Sequence, residues 1–425
     1  MRVWLVTVGE PLPLPGTGAR LLRAGLLGQM LARRGHQVVW WTSTFDHWQK
    51  RHLYPSDTVL RLQDEISLHL LHGRGYRHNI SIRRILDHIR VAGRFSTLAE
   101  VESVPDVILC SLPTLELALA STRYGKRHGV PVVIDVRDLW PDIFQEFAPH
   151  WARGLARYAL APMRGQAMRA CVDAYAITGN SPPFVEWGLR NAGRVATRLD
   201  RPFPFGYLAQ APAEQDREAA VRFWKGHGLV AGQGGLIACF FGTLGHQFDL
   251  ETVLDAALLL ESEGHAVRFV LCGIGERLEA LKTRAGTSRA VVFPGWVDRA
   301  QIHALMGMAD VGLAPYRNHA GFVGNMPNKP IEYLAGGLPV LTSLGGYLGG
   351  FLASHGCGMS YPEGNALALR DIFVRFCENS QPLADMSSNA RRVFAQQFDA
   401  DKVYGGMCDY LSEVVAAYRA ASTGI

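Results

Sequence analysis

The sequence lacks the features that would assign it to a disulfide-rich, membrane-spanning or secreted class. Its seven cysteines are scattered and include no C-x-x-C pair, which excludes a disulfide framework and a zinc ribbon. It has no run of about 18 consecutive apolar residues, so we expect no membrane-spanning helix. The apolar start, residues 1–8, meets Gly9 and Glu10 too soon for a secretory signal and predicts a first buried strand. We therefore expect a cytoplasmic protein.

The composition also lacks the bias of a disordered chain. Hydrophobic residues make up 48% and charged residues 19% of the sequence, as in ordinary globular proteins. A chain of 425 residues exceeds the size at which one core stops growing. We therefore expect two domains of about 200 residues each.

Charge is spread unevenly along the chain. The formal net charge is +5, yet residues 1–200 carry +8 and the remainder carries −3. Within residues 83–94, arginines interleave with isoleucine, leucine and valine, as in an amphipathic helix. Such a helix either lies on an anionic membrane surface or covers its own domain's core with its arginines in solvent. The arginines concerned are Arg83, Arg84, Arg90 and Arg94.

Apolar stretches of strand length alternate with helical patterns throughout, which is typical of βαβ units on a parallel sheet. The predicted strands are 2–8, 37–42, 67–71, 106–110, 131–136 and 173–178 in the first half, and 235–242, 266–272, 290–293, 310–314 and 338–342 in the second. Ligands of such sheets bind outside the carboxyl ends of the strands. We predict an α/β protein with two doubly wound domains and a ligand site in the cleft between them.

The domain boundary is predicted from proline density. Residues 201–206 contain two prolines and a glycine, which stop regular structure. We therefore assign 1–205 to the first domain and 206–399 to the second. A last helix at about 401–421 has one apolar face, and we expect the segment 400–425 to pack back on the first domain.

A short glycine-containing segment follows the first strand. In Pro15-Gly16-Thr17-Gly18, Gly16 and Gly18 would let backbone N–H groups approach a phosphate at a helix N-terminus. A plain strand-to-helix turn would use the same residues. The full dinucleotide fingerprint is not met, because position 21 is leucine and no acidic residue ends the second strand, which argues against a nicotinamide enzyme.

A more specific motif lies in the second half, from Gly324 to Val340. It contains Lys329 and Glu332, three residues apart at a predicted helix start and therefore on one face of its first turn. A lysine there suits a diphosphate, and a carboxylate can accept two hydrogen bonds from a ribose diol. Alternatively, Glu332 only favours the helix N-terminus and Lys329 is solvated.

This motif resembles the signature of retaining glycosyltransferases of the GT-B fold, family 4, in the branch that acts on O-antigen and other surface polysaccharides. Four further segments are similar to that family: 240–253, 271–276, 293–297 and 309–315. Residues 135–142 resemble the aspartate-leucine-tryptophan-proline motif of the same branch. The similarity is dense over 235–345 and thinner before 130. It implies a GT-B architecture of two Rossmann-like domains facing a central cleft.

The resemblance also implies roles for individual residues. Glu332 would bind the ribose hydroxyls and Lys329 the diphosphate, while Gly273 and the backbone at Trp296 and Val297 would contact the base. From its position directly after the strand 131–136, and not from the resemblance, Asp138 is expected to orient the acceptor, unless it is an N-cap or pairs with Arg137. The phosphate-facing groups would be Gly242, Gly245, Gly16 and Gly18, with His246 as a possible helper.

Two departures from the family pattern affect the donor site. The first glutamate of the E-x7-E pattern is Gly324 here, so we expect amides around Asn325 and Met326 to contact the sugar. An arginine that many members carry after the strand-ending glycine is Thr243 here, which leaves more of the phosphate charge to Lys329. Glu332, Lys329 and Asp138 are thus the predicted catalytic residues.

The expected activity is sugar transfer from a nucleotide-diphosphate sugar, UDP-linked, to a lipid-linked or polysaccharide acceptor. No D-x-D lies at a strand end, so neither a metal nor a cofactor is expected. Amides and cations would stabilise the departing diphosphate. The alternatives are a sugar-nucleotide epimerase of the same fold and a non-catalytic nucleotide-sugar binding protein. Neither a nucleic-acid partner nor a transmembrane anchor is expected, although the basic first half suits an anionic membrane face.

Overall fold

A computed structural model describes residues 1–14, 20–62, 65–145, 153–232 and 235–423. The chain divides into two compact units. The first unit contains Met1–Gly206 together with Ala400–Ile425, and the second contains Tyr207–Asp399. Each unit is an α/β layer structure around its own parallel sheet.

Eight strands form the sheet of the first unit within the described ranges, in the order β10-β9-β8-β7-β1-β2-β6-β5. Neighbouring strands are parallel except β5, which is antiparallel to β6. The central strands of this eight-stranded sheet are continuous apolar runs, because helices cover both faces of the sheet. The strands are β1 (Arg2–Val6), β2 (Gln37–Ser43), β5 (Thr58–Leu62), β6 (Ile66–Leu71), β7 (Val107–Leu112), β8 (Val132–Val136), β9 (Ala176–Gly179) and β10 (Arg201–Pro202); β3 (Phe45–Asp46) and β4 (Arg51–His52) form a separate hairpin.

The helices of the first unit pack on this sheet in two layers. One layer, with α2, α3 and α5, covers the face that carries Trp4 and Trp41, and Phe95 of α2 packs against them. The other face is covered by α1 and α16. The helices are α1 (Arg23–Arg33), α2 (Ile82–Leu98), α3 (Leu115–His128), α4 (Arg153–Ala159), α5 (Ala161–Asp173), α6 (Pro182–Ala192) and α16 (Ala400–Thr423), with a 3₁₀ turn at Asp142–Gln145.

The terminal helix α16 is built into the first unit's core. Met407, Tyr410 and Leu411 are fully buried against α1 and strand residues. The Tyr410 hydroxyl donates to the Leu199 carbonyl oxygen at 2.9 Å. The last segment of the chain thus completes one face of the first sheet.

A buried ionic network joins strand β8 to the end of the first unit's main segment. The Arg23 guanidinium pairs with Asp135 at 2.9 Å and donates to the carbonyl oxygen of Phe203 at 2.8 Å. Arg137 bonds the same Asp135 at 2.8 Å and also pairs with Glu10. These two guanidinium groups hold the pKa of Asp135 below its usual value despite its burial.

Six strands form the second unit's sheet within its described residues, all parallel, in the order β13-β12-β11-β14-β15-β16. They are β11 (Leu236–Phe241), β12 (Val267–Cys272), β13 (Val291–Val292), β14 (Val311–Ala314), β15 (Val340–Thr342) and β16 (Gly358–Ser360). The helices are α7 (Glu214–Gly226), α8 (Leu250–Ser262), α9 (Leu278–Ala285), α10 (Arg299–Met308), α11 (Ala320–Val323), α12 (Asn328–Ala335), α13 (Gly346–His355), α14 (Ala366–Glu378) and α15 (Gln381–Val393), followed by a π-helical turn at Phe394–Phe398.

The predicted α/β class with parallel sheets is confirmed. The short hairpin β3–β4 and the antiparallel edge strand β5 were not predicted; they lie between predicted strands. Among the described residues, no helix is long and apolar enough to cross a membrane.

Candidate functional site

Two glycines bring the carboxyl ends of β11 and β12 together. Gly242 follows β11 and has φ +149°, and Gly273 follows β12 with φ +138°. A Cβ on Gly273 would collide with the Gly242 carbonyl oxygen. The Gly273 N–H donates to the Gly295 carbonyl oxygen at 2.7 Å, which adds the loop after β13 to the same edge. Only glycine allows three backbone segments to approach so closely here.

Lys329 lies over this glycine turn. Its Nζ is 2.6 Å from the position that a Cβ on Gly242 would occupy. The ammonium is 5.0 Å from the ring centroid of Phe248 and 5.8 Å from that of Phe240, within cation–π range. The missing side chain at Gly242 thus makes room for the Lys329 ammonium at the strand end.

Glu332 follows one turn later on α12 and is buried, with 6% of its surface exposed. Burial raises the pKa of the Tyr316 hydroxyl, just after β14, and the negative charge of Glu332 adds to this effect. The helix is anchored by Tyr333, whose hydroxyl donates to the Leu313 carbonyl oxygen at 3.0 Å. This anchoring fixes Lys329 and Glu332 relative to the strand ends.

The segment before α12 is compact. Asn325 donates its backbone N–H to the Phe322 carbonyl oxygen at 2.9 Å, and Met326 is almost fully buried. Gly324, which stands where the family pattern has its first glutamate, ends the short helix α11. The backbone at 325–326 therefore leads directly into the helix that carries Lys329.

The loop after Gly242 places the predicted phosphate-facing residues at the same edge. Gly245 donates its N–H to the Thr243 carbonyl oxygen at 3.0 Å, while Thr243 itself is exposed. The His246 ring is exposed, and its Nε2 lies 3.5 Å from a Glu276 carboxylate oxygen. A phosphate bound at His246 would thus compete with the Glu276 carboxylate for the imidazole ring.

Arg317 is a residue of this edge that the sequence analysis missed. It follows β14 and donates from Nε to the His246 carbonyl oxygen at 3.1 Å. It also pairs with Glu251 at 3.2 Å and with Glu363 at 3.3 Å. The carboxylate pairs fix the position of the Arg317 guanidinium. Its hydrogen bond to His246 then holds the 242–248 loop in place. Its partners lie far away in sequence, so no local signal predicts this.

The predicted base-contacting segment combines one exposed and one buried side chain. Trp296 is 68% exposed, whereas Val297 is buried. Gly295, which bonds Gly273, precedes them with a positive φ of +82°. The structure therefore brings Gly273 and the 295–297 backbone together.

In the first unit, Asp138 follows β8 at the carboxyl edge of its sheet. Its carboxylate accepts from the Leu139 N–H at 3.0 Å and from the Trp140 side chain. Burial raises the pKa of Asp138 to about 6, against the opposing effect of these bonds and of Arg84. Arg137 pairs with Asp135 and Glu10, so the alternative of an Arg137–Asp138 pair is wrong. Gly16 and Gly18 lie outside the described residues.

Across the described parts of the chain, no group of three or more His, Cys, Asp or Glu side chains is placed to hold a metal ion. The polar chemistry of both edges comes from side-chain cations, carboxylates and backbone amides. Such groups can bind a nucleotide diphosphate through charge and hydrogen bonds.

Residues 229–393 match the family Glycosyl transferases group 1. This match covers most of the second unit and includes every donor-site residue named above in that unit.

Two curated relatives are similar over part of the chain. The colanic acid biosynthesis glycosyltransferase WcaL of Escherichia coli (strain K12) is 27% identical over 157 residues, which are 35% of this chain and 38% of WcaL. The amylovoran biosynthesis glycosyltransferase AmsK of Erwinia amylovora is 24% identical over 169 residues, 39% of this chain and 42% of AmsK. The aligned segments thus span about two fifths of each relative.

Solved structures are similar over nearly the whole chain. Sucrose-phosphate synthase from Thermosynechococcus elongatus superposes with a TM-score of 0.70 at 17% identity and covers 98% of this chain and 99% of its own. Anabaena HepE in complex with UDP gives a TM-score of 0.63 at 18% identity, with 97% and 99% covered. These likenesses show that the fold is GT-B, as the sequence resemblance implied.

Proposed function

We propose that this protein is a retaining glycosyltransferase of surface-glycan synthesis. It would move a sugar from a UDP-linked donor to a lipid-linked or polysaccharide acceptor. The family match over 229–393 and two relatives named for colanic acid and amylovoran biosynthesis support this class of activity. HepE, which shares the fold, was solved with UDP and with UDP-glucose.

One observation carries the proposal: Lys329 lies over the Gly242 turn while Glu332 is buried one turn later on the same helix. A diphosphate at this turn would meet the Lys329 ammonium and the amides of the glycine loop. Cations and amides fixed before the reaction stabilise negative charge as it develops on a leaving diphosphate. Glu332 would hold the ribose through its two carboxylate oxygens.

The acceptor would bind on the first unit, at the carboxyl edge that carries Asp138. Desolvation raises the pKa of this carboxyl to about 6, so its protonation state changes close to physiological pH. In its ionised form, Asp138 would accept a hydrogen bond from an acceptor hydroxyl and orient it.

A transfer assay tests the proposal. The full-length protein is incubated with UDP-sugars and a lipid extract, and UDP release and the anomeric configuration of the product are measured. We expect UDP release that requires the acceptor and a product that retains the donor's configuration. A sugar epimer formed without acceptor would favour the epimerase reading. Donor binding without transfer to any acceptor would favour a non-catalytic binding protein.

We further propose that helix α2 rests on an anionic membrane surface. Its side chains Ile82, Leu86 and Ile89 are 76%, 39% and 51% exposed, and Arg83 and Arg90 beside them are exposed. The opposite face of the helix is buried in the domain. The prediction that four arginines share the exposed face is wrong for two of them: Arg84 stacks on Trp140, and Arg94 pairs with Asp57.

Vesicle sedimentation tests this surface. Each basic residue near an anionic membrane contributes about 1 kcal/mol, and salt screens this attraction. We expect the protein to sediment with anionic vesicles at low ionic strength, less so at high ionic strength, and less when Arg83 and Arg90 are both changed to Ser. The matched control changes Arg33 and Arg222, exposed arginines on other helices, to Ser. Equal binding to neutral and anionic vesicles would contradict the proposal.

A further inference from the structure

Two cations of the first unit converge at the carboxyl edge of its sheet. Arg84, in the first turn of α2, lies with its Cζ 4.5 Å from the Trp140 ring centroid and 5.4 Å from that of Tyr76. Lys50, in the turn of the β3–β4 hairpin, has its Nζ 4.9 Å from the same Tyr76 ring. Both cations therefore lie against one tyrosine.

The two cations also share a neutral partner. The Lys50 ammonium donates to the Asn79 side-chain oxygen at 2.5 Å, and the Arg84 guanidinium donates to the Asn79 backbone oxygen at 2.9 Å. Among the described residues, no carboxylate lies within 4.0 Å of either cation. Asp46 acts on Lys50, and Asp138 and Asp87 act on Arg84, only from farther away.

Like charges held together in this way favour an anionic partner. Burial and the charge of Arg84 lower the pKa of Lys50, and burial lowers the pKa of Arg84. An anion between them would offset both the repulsion and the desolvation, because charge-assisted hydrogen bonds are stronger than neutral ones.

The backbone at Lys50 supports a functional role for the turn. Lys50 has φ +54°, and it is the one non-glycine residue with a positive φ in the described parts of the chain. Such a conformation is unfavourable for a lysine, and residues held in it cluster at binding sites.

Exposed apolar side chains surround the pair. Trp48 is 71% exposed in the same hairpin turn, and Ile80 and Ile82 are 64% and 76% exposed on either side of the α2 N-cap, Ser81. Asn79, which binds both cations, immediately precedes Ile80. An anionic group bound here would therefore have apolar surface next to it.

We propose that Lys50 and Arg84 bind the diphosphate of a lipid-linked acceptor, with Trp48, Ile80 and Ile82 contacting its lipid chain. This inference rests on the proposed function and names its acceptor class. The Asp138 carboxyl and the Arg84 guanidinium are near enough to interact electrostatically. The sugar attached to the diphosphate would thus reach the residue proposed to orient the acceptor hydroxyl.

Binding of three probes to the full-length protein tests the inference: farnesyl diphosphate, inorganic pyrophosphate and farnesol. Calorimetry would compare the wild type with Lys50→Asn, which suits the positive φ, and with Arg84→Gln. We expect both substitutions to weaken farnesyl diphosphate binding at least about tenfold. Arg61→Gln, at an exposed arginine on β5 of the same unit, is the matched control and should leave the affinity unchanged.

The probes separate the possible sources of binding. Tighter binding of farnesyl diphosphate than of pyrophosphate, with little binding of farnesol, supports a lipid diphosphate. Equal binding of the two diphosphates overturns the lipid part of the inference. Weaker farnesyl diphosphate binding in Lys329→Ala, with unchanged binding in Lys50→Asn and Arg84→Gln, would assign the diphosphate to the donor site. That result would overturn the inference entirely.

The test is independent of the proposed activity. UDP binding should remain intact in Lys50→Asn and Arg84→Gln, and urea denaturation midpoints like that of the wild type would show that the first unit of each variant folds. If no sugar is transferred but the diphosphate pattern holds, the transfer function fails and the binding site stands. If transfer is observed but the diphosphate pattern fails, the inference alone is wrong.

Discussion

At the scale of single residues, the proposed donor site at the carboxyl edge of the second sheet depends on the lack of a side chain at Gly242. Gly242 has no Cβ, and the Lys329 ammonium lies 2.6 Å from the position that one would occupy. The glycine therefore serves two purposes, because it also has a φ of +149°, which L side chains rarely adopt. The position of the lysine and the path of the loop are coupled at this one residue.

Substitution of Gly242 should displace the lysine. In Gly242→Ala, the new Cβ would stand 2.6 Å from the present Nζ position, so the side chain of Lys329 must move. We expect UDP affinity, measured by calorimetry, to fall about tenfold or more, as for loss of a charged hydrogen bond. Gly350→Ala is the control, since a Cβ there meets no atom within 4 Å. Unchanged UDP affinity in Gly242→Ala would remove Lys329 from the site.

The raised pKa of Asp138 predicts that stability and transfer rate both depend on pH. Burial raises its pKa to about 6 in the folded state, so the folded protein binds this proton more tightly than the unfolded chain. Its contribution to stability is therefore fully present below about pH 4 and is lost as the pH rises to about 6. If the ionised form orients the acceptor, the transfer rate should rise over the upper part of this range.

The two effects are measured against Asp138→Asn. Relative to that variant, the wild type should lose unfolding free energy between about pH 4 and 6, as followed by urea denaturation at each pH. The variant should also lose the rise in kcat/KM near pH 6. Identical pH profiles of kcat/KM in both proteins would show that Asp138 does not act in the reaction.

At the scale of elements, helices place the functional side chains by their buried faces. Helix α12 is anchored by Tyr333 in the second core, which leaves Lys329 at its first turn toward the strand ends. Helix α2 buries Val91 and Phe95 and thereby holds Arg84 against Trp140. In both cases the hydrophobic packing of the helix sets the direction of a cation.

Helix α16 gives the clearest energetic prediction at this scale. Leu411 is fully buried in the first unit's core. Leu411→Ala should therefore lower the free energy of unfolding by about 2–5 kcal/mol through lost burial and a new cavity. The neighbouring Ser412 is exposed, and Ser412→Ala should change stability by no more than about 0.5 kcal/mol. Similar denaturation midpoints for Leu411→Ala and the wild type would contradict the packing of α16.

At the scale of the whole molecule, much of the architecture could be predicted from the sequence. The apolar runs of β1, β7, β8, β11 and β12 mark central parallel strands because these strands are buried on both faces. The hairpin β3–β4 could not be predicted, since two-residue strands carry no periodicity.

The sites were predictable to different degrees. Lys329 and Glu332 are close in sequence, so their shared helix face follows from spacing alone. The contact between Gly242 and Gly273, the carboxylate partners of Arg317 and the stacking of Arg84 on Trp140 join distant segments. Such contacts depend on strand order and helix packing, which a single sequence does not specify.

The proposed transfer depends on binding of the donor nucleotide at the carboxyl edge of the second unit's sheet. The most direct test is calorimetric titration of UDP into the wild type, Lys329→Ala and Glu332→Gln, with Lys282→Ala, an exposed cation of the same unit, as control. Each site substitution should cost about 1.5–3 kcal/mol, or roughly ten- to a hundredfold in affinity, while the control binds like the wild type. Equal UDP affinity in all four folded proteins would contradict the account.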